Sequence, residues 1–447
     1  MEKFEDFNLE KRVLDALRDV GYEKPTPVQA KAITPILEGH DVLANAQTGT
    51  GKTAAFSLPI LNDMKREGHT QALIVTPTRE LAIQIRENIR DYSKYLKLKT
   101  VVIYGGVKQG RQVRSLEQGA DVLIATPGRL LDLIDQGFID LSKIKYFVLD
   151  EADNMLDMGF IHDIRKMLTF IPKKRQTLMF SATMPKDIKE LASTILNNPV
   201  EVSVAPVSSA VDTVDQKLYY VNKGSKSLLL LDIMEDKMYQ PTLIFTRTKH
   251  GADKLAKILQ QNKFKVAAIH GNKSQNKRAQ TLEDFKKGKI NTLVATDVAA
   301  RGLDIDDLSY VINYEIPNIA ETYIHRIGRT GRAGKEGAAI SLCDHEEKAY
   351  IKDIQKLMKK DIEVVVKHNY PLGKEQNSEK KKPNNKRPSN KKKPASKNNS
   401  SKSEKGSKKS YSSAKKSEKQ KRESQAFKKK NKYRAKSNQN KKRTTHK

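Results

Sequence analysis

The stretch Val42-Leu43-Ala44-Asn45-Ala46-Gln47-Thr48-Gly49-Thr50-Gly51-Lys52-Thr53 decides the architecture. A short aliphatic run passes into a glycine-rich loop that ends in Gly-Lys-Thr. Such a loop aims successive backbone N–H groups at one point, where they can cradle phosphates. The lysine can reach the terminal phosphates, and the following hydroxyl can hold a magnesium ion. The general phosphate-binding pattern opens with glycine, and here Ala46 takes that place. Further on, the aliphatic run 146–149 is followed by Asp150-Glu151-Ala152-Asp153. This second cluster supplies a metal-side carboxylate and a neighbouring carboxylate able to position water. Open parallel sheets bind ligands at the carboxyl ends of their strands. Two such clusters, each just after a strand-like run, therefore read as the halves of one nucleoside triphosphate site.

Short aliphatic runs alternate with amphipathic helical patterns along most of the chain, which predicts parallel α/β architecture. One series of strands is expected at 42–44, 72–75, 101–104, 122–125, 146–149 and 178–180. A second is expected at 217–221, 243–245, 266–269, 293–295, 310–312 and 338–342. Leu255, Ile258 and Leu259 mark one helical stripe between them, and Tyr350, Ile354, Leu357 and Met358 mark another near the end. Two similar sheets joined near 205–215 follow, although the letters alone show no clear repeat. Polar clusters recur just after the strands: Pro77-Thr78-Arg79-Glu80, Gly105-Gly106, Thr126-Pro127-Gly128-Arg129, Ser181-Ala182-Thr183, His270-Gly271 and Thr296-Asp297. Each one alone fits ordinary turn or cap chemistry. Their recurrence on one edge of two sheets points to an extended ligand track.

The formal charge of +31 is unevenly spread. Residues 372–447 hold 29 Lys+Arg and 5 Asp+Glu, a net +24, which leaves +7 for the rest. That segment is built from Lys, Ser, Asn and Gln and has only Tyr411, Phe427 and Tyr433 as aromatics. It cannot bury enough apolar surface to offset its ordering entropy, so disorder is expected, with binding to polyanions as its use. A purely solubilising tail is the plainer reading. Cys343 is the only cysteine, which excludes an intramolecular disulfide and fits a reducing cytoplasm. The first residues lack the apolar core of a signal peptide, and no stretch is apolar and long enough to span a bilayer.

Taken together, the ordered motifs resemble those of the DEAD-box ATP-dependent RNA helicases, and look most like their RhlE-type bacterial branch. The likeness runs from about Phe4 to Leu342. It implies two tandem RecA-like parallel-sheet domains, 1–205 and 216–371; the basic tail 372–447 lies outside the likeness, and its charge alone reads as a sequence-independent RNA tether. In that family Ala opens the phosphate loop, so Ala46 to Thr53 matches throughout: Ala46, Gln47, Thr48, Gly49, Thr50, Gly51, Lys52 and Thr53. Phe4 stands at the family's isolated aromatic, 17 positions before Gly21. The run from Gly21 to Gln29, with Tyr22 and Thr26 inside it, resembles the adenine-reading segment, and Gln29 would hydrogen-bond the base. An amide offers both a donor and an acceptor to adenine's edge; without the family, Gln29 is simply a polar residue near a helix start.

By the same resemblance, Asp150 would hold magnesium through water and Glu151 would orient or deprotonate the attacking water. Asp153 would link to Ser181 and Thr183 and, with His325, couple the ATP state to closure of the domains. In His325-Arg326-Ile327-Gly328-Arg329-Thr330-Gly331-Arg332, Arg329 and Arg332 would reach the γ-phosphate, and Asp304 would approach the sugar. Three arginines there also fit a solvated basic face. RNA would lie along Thr78, Arg79, Gly106, Thr126 and Arg129 in the first domain, and Gln275, Arg278, Thr296 and Gly302 in the second. Contacts of these types hold phosphates and sugars without reading bases. Asn154 falls at a variable position of the family. The implied activity is RNA-stimulated ATP hydrolysis that separates short duplexes or remodels RNA–protein complexes. An ATP-gated RNA clamp or assembly scaffold, and a DNA translocase, remain as rivals. A ribosomal precursor or an RNA-degradation assembly is the implied setting.

Overall fold

The computed structural model describes residues 3–47, 49–204, 213–235, 237, 240–303, 305, 308–331 and 337–373. Thr48, Asp304 and Arg332, most of the expected linker and nearly all of the basic tail lie outside them.

Two seven-stranded sheets organise the described residues. The first contains β1 (Val42–Asn45), β2 (Ala72–Val75), β3 (Thr100–Ile103), β4 (Val122–Ala125), β5 (Tyr146–Leu149), β6 (Gln176–Ser181) and β7 (Val200–Ser203), in the order β3-β4-β2-β5-β6-β1-β7. The second contains β8 (Val214–Tyr220), β9 (Thr242–Phe245), β10 (Val266–Ile269), β11 (Thr292–Ala295), β12 (Tyr310–Asn313), β13 (Gly337–Cys343) and β14 (Glu363–Val364), in the order β10-β11-β9-β12-β13-β8-β14. Every pairing is parallel, and adding seven to each strand number of the first order gives the second. The repeat that the letters hide is therefore plain in the topology.

The strands are short and aliphatic because both faces are covered. Along β2, Ala72 and Ile74 join the core beneath the helices Pro27–Leu37, Lys52–Asp63 and Arg79–Tyr92, while Leu73 and Val75 join the core on the other face. Alternation of side chains across a strand divides them in this way. All twelve expected strands form. Two short edge strands, β7 and β14, were not expected, and β8 begins two residues before the expected domain start at 216. The predicted last helix is Lys348–Met358, with Ile351 and Ile354 buried against β8 and β13.

The order of strands sorts the motifs. The phosphate loop, Ser181 and Asp150-Glu151 stand at the carboxyl ends of the adjacent strands β1, β6 and β5. Gly106, Thr126 and Thr78-Arg79 stand beyond the ends of the adjacent strands β3, β4 and β2. One sheet edge thus carries two neighbouring sets of polar groups.

Candidate functional site

Gly51 caps the helix Lys52–Asp63 with φ +91°, and Gly49 has φ +82°. No side chain caps this helix, so the first N–H groups are left for a ligand, where the helix dipole also favours an anion. A Cβ on Gly51 would come within 2.4 Å of Gln29 Nε2. The loop is braced from two sides. Ala46 N–H donates to Ser181 O at 2.9 Å, and Thr50 Oγ1 donates to Gln47 O at 2.7 Å. Thr26 Oγ1 donates to Thr50 O at 2.7 Å, and Gln29 Nε2 donates to Gly51 O at 3.2 Å. Gln29 Oε1 meanwhile accepts from Thr26 N–H at 2.8 Å. Both ends of the Gln29 amide are thus engaged within the protein, in the helix-start role that its position alone foretold. Phe4 is buried and stacks on Tyr22 at 6.2 Å between ring centroids, and Tyr22 meets Tyr92 hydroxyl to hydroxyl at 3.1 Å.

Lys52 and Asp150 are both buried. Lys52 Nζ lies 3.9 Å from Asp150 Oδ1, and neither atom has a hydrogen-bond partner. Burial pushes the Asp150 carboxyl up to about 6, against the pull of Lys52. Glu151 sits in the left-handed region, φ +57° and ψ +51°, a conformation that costs a non-glycine residue roughly 1–2 kcal/mol. Its Oε1 is buried and unpartnered. A buried ammonium and two buried carboxylate oxygens that lack partners are a costly arrangement unless a ligand completes it. Thr53 follows Lys52 in the first helical turn. These donors fit phosphates with a magnesium ion. Among the described residues no group of three or more His, Cys, Asp or Glu could hold a metal.

Asp153 is the hub that joins this site to the next strand. Its Oδ2 accepts from Ala182 N–H (3.1 Å), Thr183 N–H (2.9 Å) and Thr183 Oγ1 (3.0 Å). Its own N–H donates to Ser181 Oγ at 3.3 Å. From the second lobe, His325 Nε2 stands 3.9 Å from Asp153 Oδ2. Burial lowers the His325 pKa and favours the neutral imidazole.

A narrow cleft separates Lys52, Glu151 and Ala182 on one side from His325, Arg326 and Arg329 on the other. Arg326 is fully buried and spent on structure. It makes a fork to Asp297 (2.6 and 2.8 Å), bonds to Asn313 Oδ1 and Glu315 O, and lies over the Phe245 ring. Arg329 lines the same cleft and donates to Leu303 O at 3.0 Å. Arg301 reaches Asp157 across the cleft at 2.6 Å.

Several residues of the expected RNA track lie close to one another or to a shared neighbour. The Arg79 guanidinium lies over Gly106, where a Cβ would come within 2.2 Å of it. Arg129 donates to the neighbouring Val107 O at 3.1 Å. Thr78 caps the helix Arg79–Tyr92, accepting from Leu81 N–H, and a Cβ on Gly302 of the second lobe would come within 2.3 Å of Thr78 Oγ1. Glu80 gathers Gln275 (2.9 Å) and Arg278 (3.0 Å) across the lobes. Thr126 and Thr296 are the residues just before the helices Pro127–Asp135 and Asp297–Ala300. Glu80, Asp157 and Arg301 were not singled out from the sequence. Glu80 stands inside a motif in which only Thr78 and Arg79 were singled out.

The fold and the cleft define a two-lobe phosphate-loop nucleoside triphosphatase whose site is shared between two like sheets. A model of the DEAD/DEAH box helicase family matches residues 26–191, and one of the helicase conserved C-terminal domain matches 225–334. The RNA helicase CrhR of Synechocystis sp. is 46% identical over 362 residues, 81% of this chain and 74% of that protein. The DEAD-box ATP-dependent RNA helicase RhpA of Helicobacter pylori is 44% identical over 361 residues, 81% and 73% of the two chains. Among solved structures, S. cerevisiae Dbp5 bound to RNA and ADP BeF3 has a TM-score of 0.73 at 33% identity, over 82% of this chain and 95% of that one. Mss116p bound to ssRNA and AMP-PNP has a TM-score of 0.74 at 30% identity, over 82% and 79%. The chain belongs to the DEAD-box ATP-dependent RNA helicase family.

Proposed function

We propose that this protein hydrolyses ATP when RNA is bound and uses closure of its two lobes to separate short duplexes locally or remodel RNA–protein complexes. The observation that carries this reading is the cleft itself: Lys52 Nζ and Glu151 Oε1, buried and without hydrogen-bond partners, face the second lobe's Arg329 across it, with Asp150 Oδ1 3.9 Å from Lys52 Nζ. Adjacent strands of the same sheet edge end in the residues that would contact RNA. ATP would enter with its phosphates on the loop Ala46–Thr53. Asp150 and Thr53 would hold a magnesium ion, which neutralises phosphate charge. Glu151 would orient the attacking water and take up its proton, and Arg329, with Arg332, would meet charge on the transferring phosphoryl group. Dbp5 and Mss116p, solved with RNA and nucleotide, share this two-lobe shape, which supports a closed state that needs both ligands.

The contacts on the RNA side are backbone, hydroxyl and guanidinium groups, so binding would show little preference for sequence. The tail would act as a sequence-independent tether. No described helix is long and apolar enough to cross a membrane. A cytoplasmic setting near ribosomal precursors or degradation assemblies is the reading that the resemblance supports. The first test measures ATP hydrolysis alone, with single-stranded RNA, with duplex RNA and with matched DNA. Stimulation by RNA only is expected; equal rates in all four overturn the coupling. Duplex release measured beside turnover separates unwinding from an ATP-gated clamp. Lys52→Ala should weaken productive ATP binding.

A further inference from the structure

Asn154 follows the Asp150-Glu151-Ala152-Asp153 run and takes part in none of the roles set out above. Its side chain is nonetheless buried, with 8% of the residue exposed, and it lines the cleft. Nδ2 donates to Glu151 Oε2 at 3.0 Å. In this bond the NH2 end of the asparagine donates and a carboxylate oxygen accepts. Glu151 is the N-cap of the helix Ala152–Asp157, and Asn154 lies three residues on. Side chains in a helix lean back towards its N-terminus, which carries the amide over the cap.

The bond occupies one carboxylate oxygen and leaves the other, Oε1, buried and without a partner. Asn154 Oδ1 is buried and unpartnered as well. The pair therefore holds two spare acceptors at the cleft, the number that a water's two O–H groups require. A free glutamate samples several rotamers, and fixing it beforehand removes that loss of entropy from the reaction. The main chain at 154 has its own bond, N–H to Asp153 Oδ1 at 2.9 Å, which does not depend on the side chain.

We propose that Asn154 is a positioning residue for ATP hydrolysis, holding Glu151 so that Oε1 is the oxygen offered to the attacking water. The proposal rests on Glu151 acting on that water. The test is steady-state ATPase of the full chain at saturating single-stranded RNA, for Glu151→Gln, Asn154→Leu, Asn154→Asp and the double variant E151Q/N154L. Asn154→Leu keeps the volume and removes the donor, and kcat should fall roughly 10-fold while KM for ATP stays within about twofold. Asn154→Asp sets a like charge against Glu151 and should fall at least as far; it also carries the test if Asn154→Leu does not fold by circular dichroism. In the Glu151→Gln background, Asn154→Leu should cause no further loss. Wild-type kcat in both single variants, with Glu151→Gln inactive, overturns the positioning role alone. So does a loss from Asn154→Leu that is as large in the Glu151→Gln background as in the wild type. Normal turnover by Glu151→Gln overturns the assignment of Glu151 and this proposal with it.

Discussion

Single residues set the phosphate loop and its charge. Gly51 combines φ +91° with Gln29 Nε2 only 2.4 Å from where a Cβ would stand. Gly51→Ala should therefore lose roughly 1–2 kcal/mol to backbone strain, loosen the loop from Gln29 and raise the Kd for ATP. Thermal unfolding and nucleotide titration check both effects. Asp150 gives a pH prediction. Burial raises its folded pKa to about 6, above the ordinary value of 3.8. The ligand-free native state thus binds more protons than the unfolded chain between those values, and this group's contribution to stability falls as pH rises from about 4 to about 6. Asp150→Asn removes that fall. In EDTA without nucleotide it should unfold at higher denaturant than the wild type at pH 7–8, by about 1–3 kcal/mol, and match it near pH 4, while ATP turnover is lost. A wild-type chain that is the more stable at pH 7–8 would remove burial as the dominant effect on Asp150.

At the scale of elements, legibility followed burial. Val122–Ala125, Tyr146–Leu149 and Val266–Ile269 are continuous apolar runs because helices cover both faces, and their bounds match the sequence reading residue for residue. β7 has an exposed glutamate and serine at alternate positions, and β14 is two exposed residues, so neither has an aliphatic run to read. In the site, residues adjacent in sequence to a motif could be read from it, including the phosphate loop and the Asp-Glu pair. Asp153 with Ser181 and Thr183 was expected only from the resemblance, and other partnerships across long separations were not expected at all: Glu80 with Arg278, Asp157 with Arg301, and Thr78 with Gly302 depend on how the lobes face each other. Glu347 shows the same limit. It is fully buried just before the helix Lys348–Met358, where it accepts from Lys226, Arg247, Ile316 N–H and Asp344 N–H. Removing one member of such a network strands the others, at about 3–5 kcal/mol. Glu347→Ala should lower the denaturant midpoint of the second lobe accordingly, whereas a surface substitution such as Glu363→Ala should change it little.

Across the whole molecule, the proposed function would divide the work of holding RNA between the body and the basic segment. In the body, the cations of the track are already engaged: Arg278 with Glu80, Arg129 with Val107 O and Gln112, and Arg79 over Gly106. On the proposed function, phosphates would have to compete with these partners, so the body's affinity would rest on geometry more than on free charge. Residues 372–447 carry a net +24 with few apolar groups, and phosphate contacts made by such a chain release counterions. Deleting them should leave ATP turnover at saturating RNA unchanged, because Lys52, Asp150 and Glu151 stand in the first lobe. RNA affinity should fall most at low salt. The slope of log K against log salt should become shallower by about 0.7 for each single-strand phosphate contact removed. Binding titrations of the full and shortened chains across a salt series measure this directly. Parallel lines of unequal height would show that the segment strengthens binding without phosphate contacts, and coincident lines would show that the body alone holds the RNA.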